Sequence, residues 1–207
     1  LAIALMMIVS LVLLATSKLE NKKSVKAKDE SAIPTSFDFW LNTAILFFYL
    51  CCEASLMNWL VTYFRDSGIF NVAISTIMSS LLWLMILLGR LICAYLSSRI
   101  RNKSYLILLM GLMVTGFFIL MLTATKPALI MVGVLGTGFS MSGIYPTTLS
   151  TQAKKYNKST IATGTCIASA TLGSIIMPGV IGTVAEGHGI EAGMATILIA
   201  LVLMIAL

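Results

Sequence analysis

The chain has 207 residues, 58% of them hydrophobic and 11% charged, with a formal net charge of +6. Soluble proteins carry about 25% charged residues, and a water-soluble fold of this size lacks the interior to hide so much apolar surface; the pattern is that of an all-α, polytopic membrane protein. The basic residues sit in short clusters between apolar runs, where they report topology rather than nucleic-acid binding.

A bilayer core of about 30 Å needs about 20 apolar residues per helix. The first run, Leu1–Ala15, is shorter than that and reads as the end of a preceding transmembrane helix. A signal peptide explains it poorly, because no basic stretch precedes it. Residues 16–38, which include SKLENKKSVKAKDESAIPTS, are polar, have no apolar periodicity and are interrupted by Pro34; they are expected to form a cytoplasmic linker. Residues 39–207 then form a transmembrane bundle. Full spans are predicted near 39–63, 72–96, 104–123, 128–150 and 160–183, with an incomplete run over 193–207. The chain opens and closes in mid-run, which reads as a fragment cut inside two helices.

Lys and Arg alternate between the two sides. Eleven fall in segment 16–38 and in the loops near 97–103 and 152–159, whereas only Arg65 and Lys126 fall in the opposite loops. The positive-inside rule places the first set in the cytoplasm. Arg90, read as lying at a helix end, completes the fourteen.

The first full span contains Glu53 near mid-depth. A charge there costs a few kcal/mol, so it is expected to face a cavity or a partner. Helical spacing puts Asn42, Leu46, Tyr49, Met57 and Leu60 on the same face. This polar stripe suits binding of sugar hydroxyls or carriage of a proton; the alternative is that Glu53 only fixes packing. Trp40 and Trp59 lie nearer the span ends, where tryptophans anchor at the interface, and Trp59 is also placed to line an outer mouth. In the second span Thr76, Ser79, Trp83 and Arg90 share a face, and mid-span Trp83 is suited to stack on a sugar ring or to pack in the core.

The fourth span, with GVLGTGFSMSGIYPTT, carries Gly136, Gly138 and Pro146. The fifth has Ala162, Cys166, Ala170, Ser174, Pro178 and Gly182 spaced by four, with Gly173 on an adjoining ridge. Such small-residue ridges let backbones approach in lipid, and the prolines are placed to kink their helices; these features suit either motion between neighbours or simple tight packing. The four cysteines, Cys51, Cys52, Cys93 and Cys166, lie in apolar runs without CxxC spacing, which fits small buried side chains better than a disulfide or metal framework. His188 is expected in a short loop beside Glu186 and Glu191. No nucleophile–base pair, Walker loop or metal cluster is visible, so neither an enzyme nor a cofactor is expected.

These residues resemble the second half of a major facilitator superfamily transporter: one helix, a long basic linker, then six further helices. GRLICAYLSSRIRNK, from Gly89 through Arg90 to Lys103, is similar to that superfamily's short signature loop, with Leu96, Arg99 and Lys103 matching. Ala94, Ser98 and Arg101 stand where that pattern has Gly, Asp and Gly. Within the superfamily, YLCCEASLMNWLVTYF resembles the Y-x-G-x-E…W-L-x-x-Y-F signature of fucose/glucose-type sugar–proton symporters, through Tyr49, Glu53, Trp59, Leu60, Tyr63 and Phe64, with Cys51 at the Gly position. Ser80 and Trp83 followed by Gly89 and Arg90, and GFSMSGIYPTTLS from Gly138, are similar to two further patterns of that group.

The resemblance implies two six-helix bundles that rock about a mid-depth site. Glu53, Tyr49, Asn42 and Trp83, with Trp59 and Ser79, would line one wall. The partners implied are a small-molecule substrate, protons, the lipid bilayer and the missing amino-terminal half, in a cell inner membrane. The signature loop would hold one access state. Export of drugs or metabolites by the same fold, a non-transporting receptor, and a membrane-embedded enzyme are the competing functions.

Overall fold

The computed structural model describes residues 34–100, 102–156 and 159–207, apart from the side chains of Ser97 and Ser98. The first apolar run, the basic linker up to residue 33, Arg101 and Lys158 lie outside the described residues. The fold is an all-α, multi-pass membrane bundle with no strand among the described residues. Its helices are α1 (Phe37–Asp66), α2 (Val72–Arg99), α3 (Lys103–Thr123), α4 (Pro127–Met141), α5 (Ile144–Lys155), α6 (Thr160–His188), α7 (Ile190–Ala195) and α8 (Ile197–Ala206).

Local chemistry explains where the spans begin. The side chains of Ser36, Asn71, Asn102 and Ser159 each accept a hydrogen bond from a backbone N–H three residues on, at 3.3, 2.9, 3.3 and 3.4 Å. These caps satisfy donors that a helix start leaves orphaned. α4 lacks such a bond and opens on Pro127, whose missing N–H costs nothing in the first turn. α6 turns into α7 through one residue, Gly189, at φ +87°, a left-handed conformation that favours glycine.

α1 is the hub. Its buried residues, among them Phe39, Leu46, Tyr49, Cys52, Leu56, Leu60 and Phe64, point in several directions, because it packs on α6, α8, α2 and α5. Ala162, Cys166 and Ala170 of α6 are buried against Phe39 and Leu46 of α1. α4 packs between α3 and α2. Small residues set these crossings: a Cβ on Gly138 would stand 2.8 Å from the Leu82 carbonyl oxygen, one on Gly173 2.5 Å from that of Phe47, and one on Gly136 would run into the Phe117 ring. Close packing thus accounts for all three glycines.

Three expectations need correction. The predicted fourth span is present as one apolar stretch, Pro127–Lys155, but a turn at Ser142 and Gly143 divides it into α4 and α5. A proline ring collides with the carbonyl four residues before it, which for Pro146 is that of Ser142. The chain therefore restarts at Gly143, and Pro146 falls in the first turn of α5 rather than at a mid-helix kink. Second, the last run starts at Ile190 rather than 193, and α6 extends to His188, so the predicted loop around His188 shrinks to Gly189. Third, α2 continues to Arg99, so Arg90 lies inside the span and not at a helix end. α6 continues through Pro178 without a break.

Candidate functional site

Glu53 sits near the middle of α1, with 16% of its side chain exposed. The Tyr49 hydroxyl, one turn earlier on the same helix, donates to Glu53 Oε1 at 3.0 Å. The i, i+4 spacing places the phenol under the carboxylate, and Tyr49 is itself buried. From α2, Arg90 Nη2 reaches the same oxygen at 3.6 Å. Arg90 is the outward member of the pair, its side chain 49% exposed. The Tyr145 ring from α5 lies 6.1 Å from that of Tyr49, centroid to centroid. Three helices thus bring a carboxylate, a guanidinium and two phenols together.

This cluster borders a cavity of about 410 Å³ lined by Arg90, Cys93, Ala94, Tyr145, Pro146, Thr147 and Ser150. The break before α5 is what turns Tyr145 and Pro146 toward it. A buried thiol–hydroxyl contact, Cys93 Sγ to Thr147 Oγ1 at 3.8 Å, ties α2 to α5 at its side. Ser150 Oγ donates to the Thr147 carbonyl at 3.0 Å, which leaves its oxygen able to accept. Chemically the arrangement offers a cation, several hydroxyls and a backing carboxylate. Those groups suit a small polar or charged solute, and the volume lies within the range of small-molecule sites, about 300–1,000 Å³.

Trp83 lies two turns before Arg90 on the same flank of α2 and is exposed; Ser79, one turn further back, is half-buried. Asn42 is not part of this cluster. Its amide donates to the Asp38 carbonyl at 2.8 Å, and it lines a separate cavity of about 720 Å³ at the end of the bundle that carries Asn102 and Lys155. Trp59 is also elsewhere: its indole N–H donates to the Pro178 carbonyl at 3.1 Å, and its ring lies where a Cβ on Gly182 would come within 3.3 Å. It joins α1 to α6. Of the signature-loop residues, Gly89 abuts the Phe139 carbonyl, which a Cβ would approach to 2.7 Å. Leu96 is exposed, the Arg99 guanidinium stands 5.4 Å from the centre of the Tyr95 ring, and Lys103 opens α3. The Lys155 ammonium pairs with Asp38.

Sequence reading missed the pairing of Arg90 with Glu53 and the part of Tyr145, Thr147 and Ser150. A signal for the first was present: an arginine inside an apolar run requires an anionic partner, and Glu53 is the acidic residue at matching depth. The helix break that aims Tyr145 is signalled by Pro146, one residue later, but nothing along the chain tells which neighbours its ring then meets.

No curated protein matches the chain. The family model of the Major Facilitator Superfamily matches residues 1–178.

Proposed function

Because this chain belongs to the Major Facilitator Superfamily, a family of secondary transporters, we propose that it moves a small polar solute, a sugar taken up with protons, by alternating access. The bundle acts as the carboxyl-terminal half of a twelve-helix carrier in a cell membrane, facing an amino-terminal half across the passage. One observation carries this reading. Glu53, Arg90 and Tyr49 are gathered at mid-bundle, beside an open cavity. Charged groups at that depth are costly unless they face one another or water, and this pair does both. The exposed Trp83 on the same flank supplies a stacking surface for a sugar ring. The likeness of Tyr49–Phe64 to the fucose/glucose-type signature supports the sugar class. The Lys/Arg count supports a cytoplasmic position for the end of the bundle that carries Lys103 and Lys155.

The test is uptake of labelled hexoses into proteoliposomes holding the protein, driven by an imposed proton gradient. Uptake that collapses with a protonophore and falls sharply in Glu53→Gln is expected, because the amide no longer balances Arg90 beside the cavity, with membrane insertion unchanged. Unaltered uptake in Glu53→Gln returns that residue to a packing role. Flux that runs only outward favours the export reading.

A further inference from the structure

Resting on the transport reading above, whose cargo class it narrows, we propose that Arg90 anchors an anionic group of the cargo, so that the preferred sugar is a hydroxylated carboxylate of sugar-acid type and neutral hexoses are carried less well.

Three observations point there. First, the Arg90 fork is unfilled. Among the described residues its one polar contact is Glu53, at 3.6 Å through Nη2 alone, whereas charge-assisted N–H···O bonds close to about 2.7–2.9 Å. A guanidinium has five donors in a rigid fork that matches a carboxylate in bidentate fashion. The Glu53 oxygen that Arg90 faces is already engaged by Tyr49 at 3.0 Å. Glu53 therefore balances the charge without using up the donors.

Second, exposure is asymmetric. Arg90 is 49% exposed and Glu53 16%, so a solute entering from the open flank meets the cation first and the carboxylate behind it. The counter-charge of Glu53 accounts for a cation here, but not for its lying on the open side of the pair.

Third, the cavity has the remaining chemistry. Arg90 shares its lining with Tyr145, Thr147 and Ser150, which carry hydroxyls, while Cys93, Ala94 and Pro146 supply an apolar floor. A carboxylate seated on Arg90 leaves the cargo's own hydroxyls within a wall of hydroxyls. It also competes with Glu53 for the guanidinium, which gives the proposal a signature that a purely structural ion pair lacks.

The experiment compares matched solutes, D-galacturonate with D-galactose and D-glucuronate with D-glucose, on the purified protein. Binding is read from ligand-induced shifts in thermal unfolding, and flux is read separately in proteoliposomes. The hexuronates are expected to raise the unfolding temperature and the hexoses to do so about tenfold less effectively, because a neutral sugar lacks the anion that makes charge-assisted hydrogen bonds to the guanidinium. Arg90→Lys keeps the preference with weaker binding, because a point charge replaces the fork. Arg90→Gln loses the preference. Glu53→Gln, which removes the internal competitor, tightens hexuronate binding several-fold even as it lowers flux. Equal shifts by acid and neutral sugars, an unchanged preference in Arg90→Gln, or no tightening in Glu53→Gln would overturn the proposal. Hexuronate binding without flux leaves the anchoring role standing and sinks the transport reading. Hexose flux without hexuronate binding does the reverse.

Discussion

The indole N–H of Trp59 on α1 donates to the carbonyl oxygen of Pro178 on α6 at 3.1 Å. It is a hydrogen bond between two helices, made at the one place where α6 contains a proline. Ser174, four residues earlier, loses the backbone donor that Pro178 lacks, so this turn of α6 is weakened internally and gains a partner from outside. Trp59→Phe keeps most of the ring and removes the donor. It is expected to lower stability by about 1 kcal/mol, in line with interhelical hydrogen bonds in membranes. Thermal unfolding in detergent measures this, and Trp59→Ala should cost more through lost packing.

Glu53 and Arg90 compensate each other at mid-bundle, so each single neutralisation leaves one charge unpaired. Glu53→Gln and Arg90→Gln are each expected to destabilise the fold more than the double variant does, because removing one partner strands the other. A double-mutant cycle on unfolding free energies should give a coupling of about 0.5–3 kcal/mol. Additive single effects would mean the two side chains do not interact.

Tyr49 holds Glu53 through one hydroxyl. Tyr49→Phe preserves the ring packing against Tyr145 and removes that bond. The expected result is a fall in transport with a stability loss near 1 kcal/mol, the usual net worth of one hydrogen bond. Uptake and unfolding measured on the same preparation separate the two effects.

Gly138 meets the Leu82 backbone of α2, whereas Gly116 of α3 has nothing within 4 Å of an added Cβ. Gly138→Ala is expected to destabilise by about 1–3 kcal/mol, the cost of overpacking against a part that cannot give way. Gly116→Ala should be neutral or slightly stabilising, since alanine is the better helix former. Folded yield and unfolding temperature of the two variants, compared side by side, test the assignment.

Much of this was legible in residue order. Glu53 in an apolar run announces a polar contact, and Tyr49 one turn away follows from helical spacing alone. The small-residue row Ala162, Cys166, Ala170 announces a close approach to some neighbouring helix, and the packed bundle makes that neighbour α1. Trp59 and Asn42 were less legible: both are polar groups at plausible helical positions, yet one bonds α6 and the other lines a different cavity. Spacing along one helix gives a direction around its axis but not which neighbour occupies that direction.

The amino-acid order dictates an all-α membrane bundle, its span positions and the alternation of basic ends, since hydropathy and local capping are properties of contiguous residues. The partnership of Glu53 with Arg90, 37 positions apart, and the placing of Tyr145 beside them depend on how three helices pack and where the fourth span breaks. Those are relations between surfaces distant along the chain, and the packed bundle alone creates them.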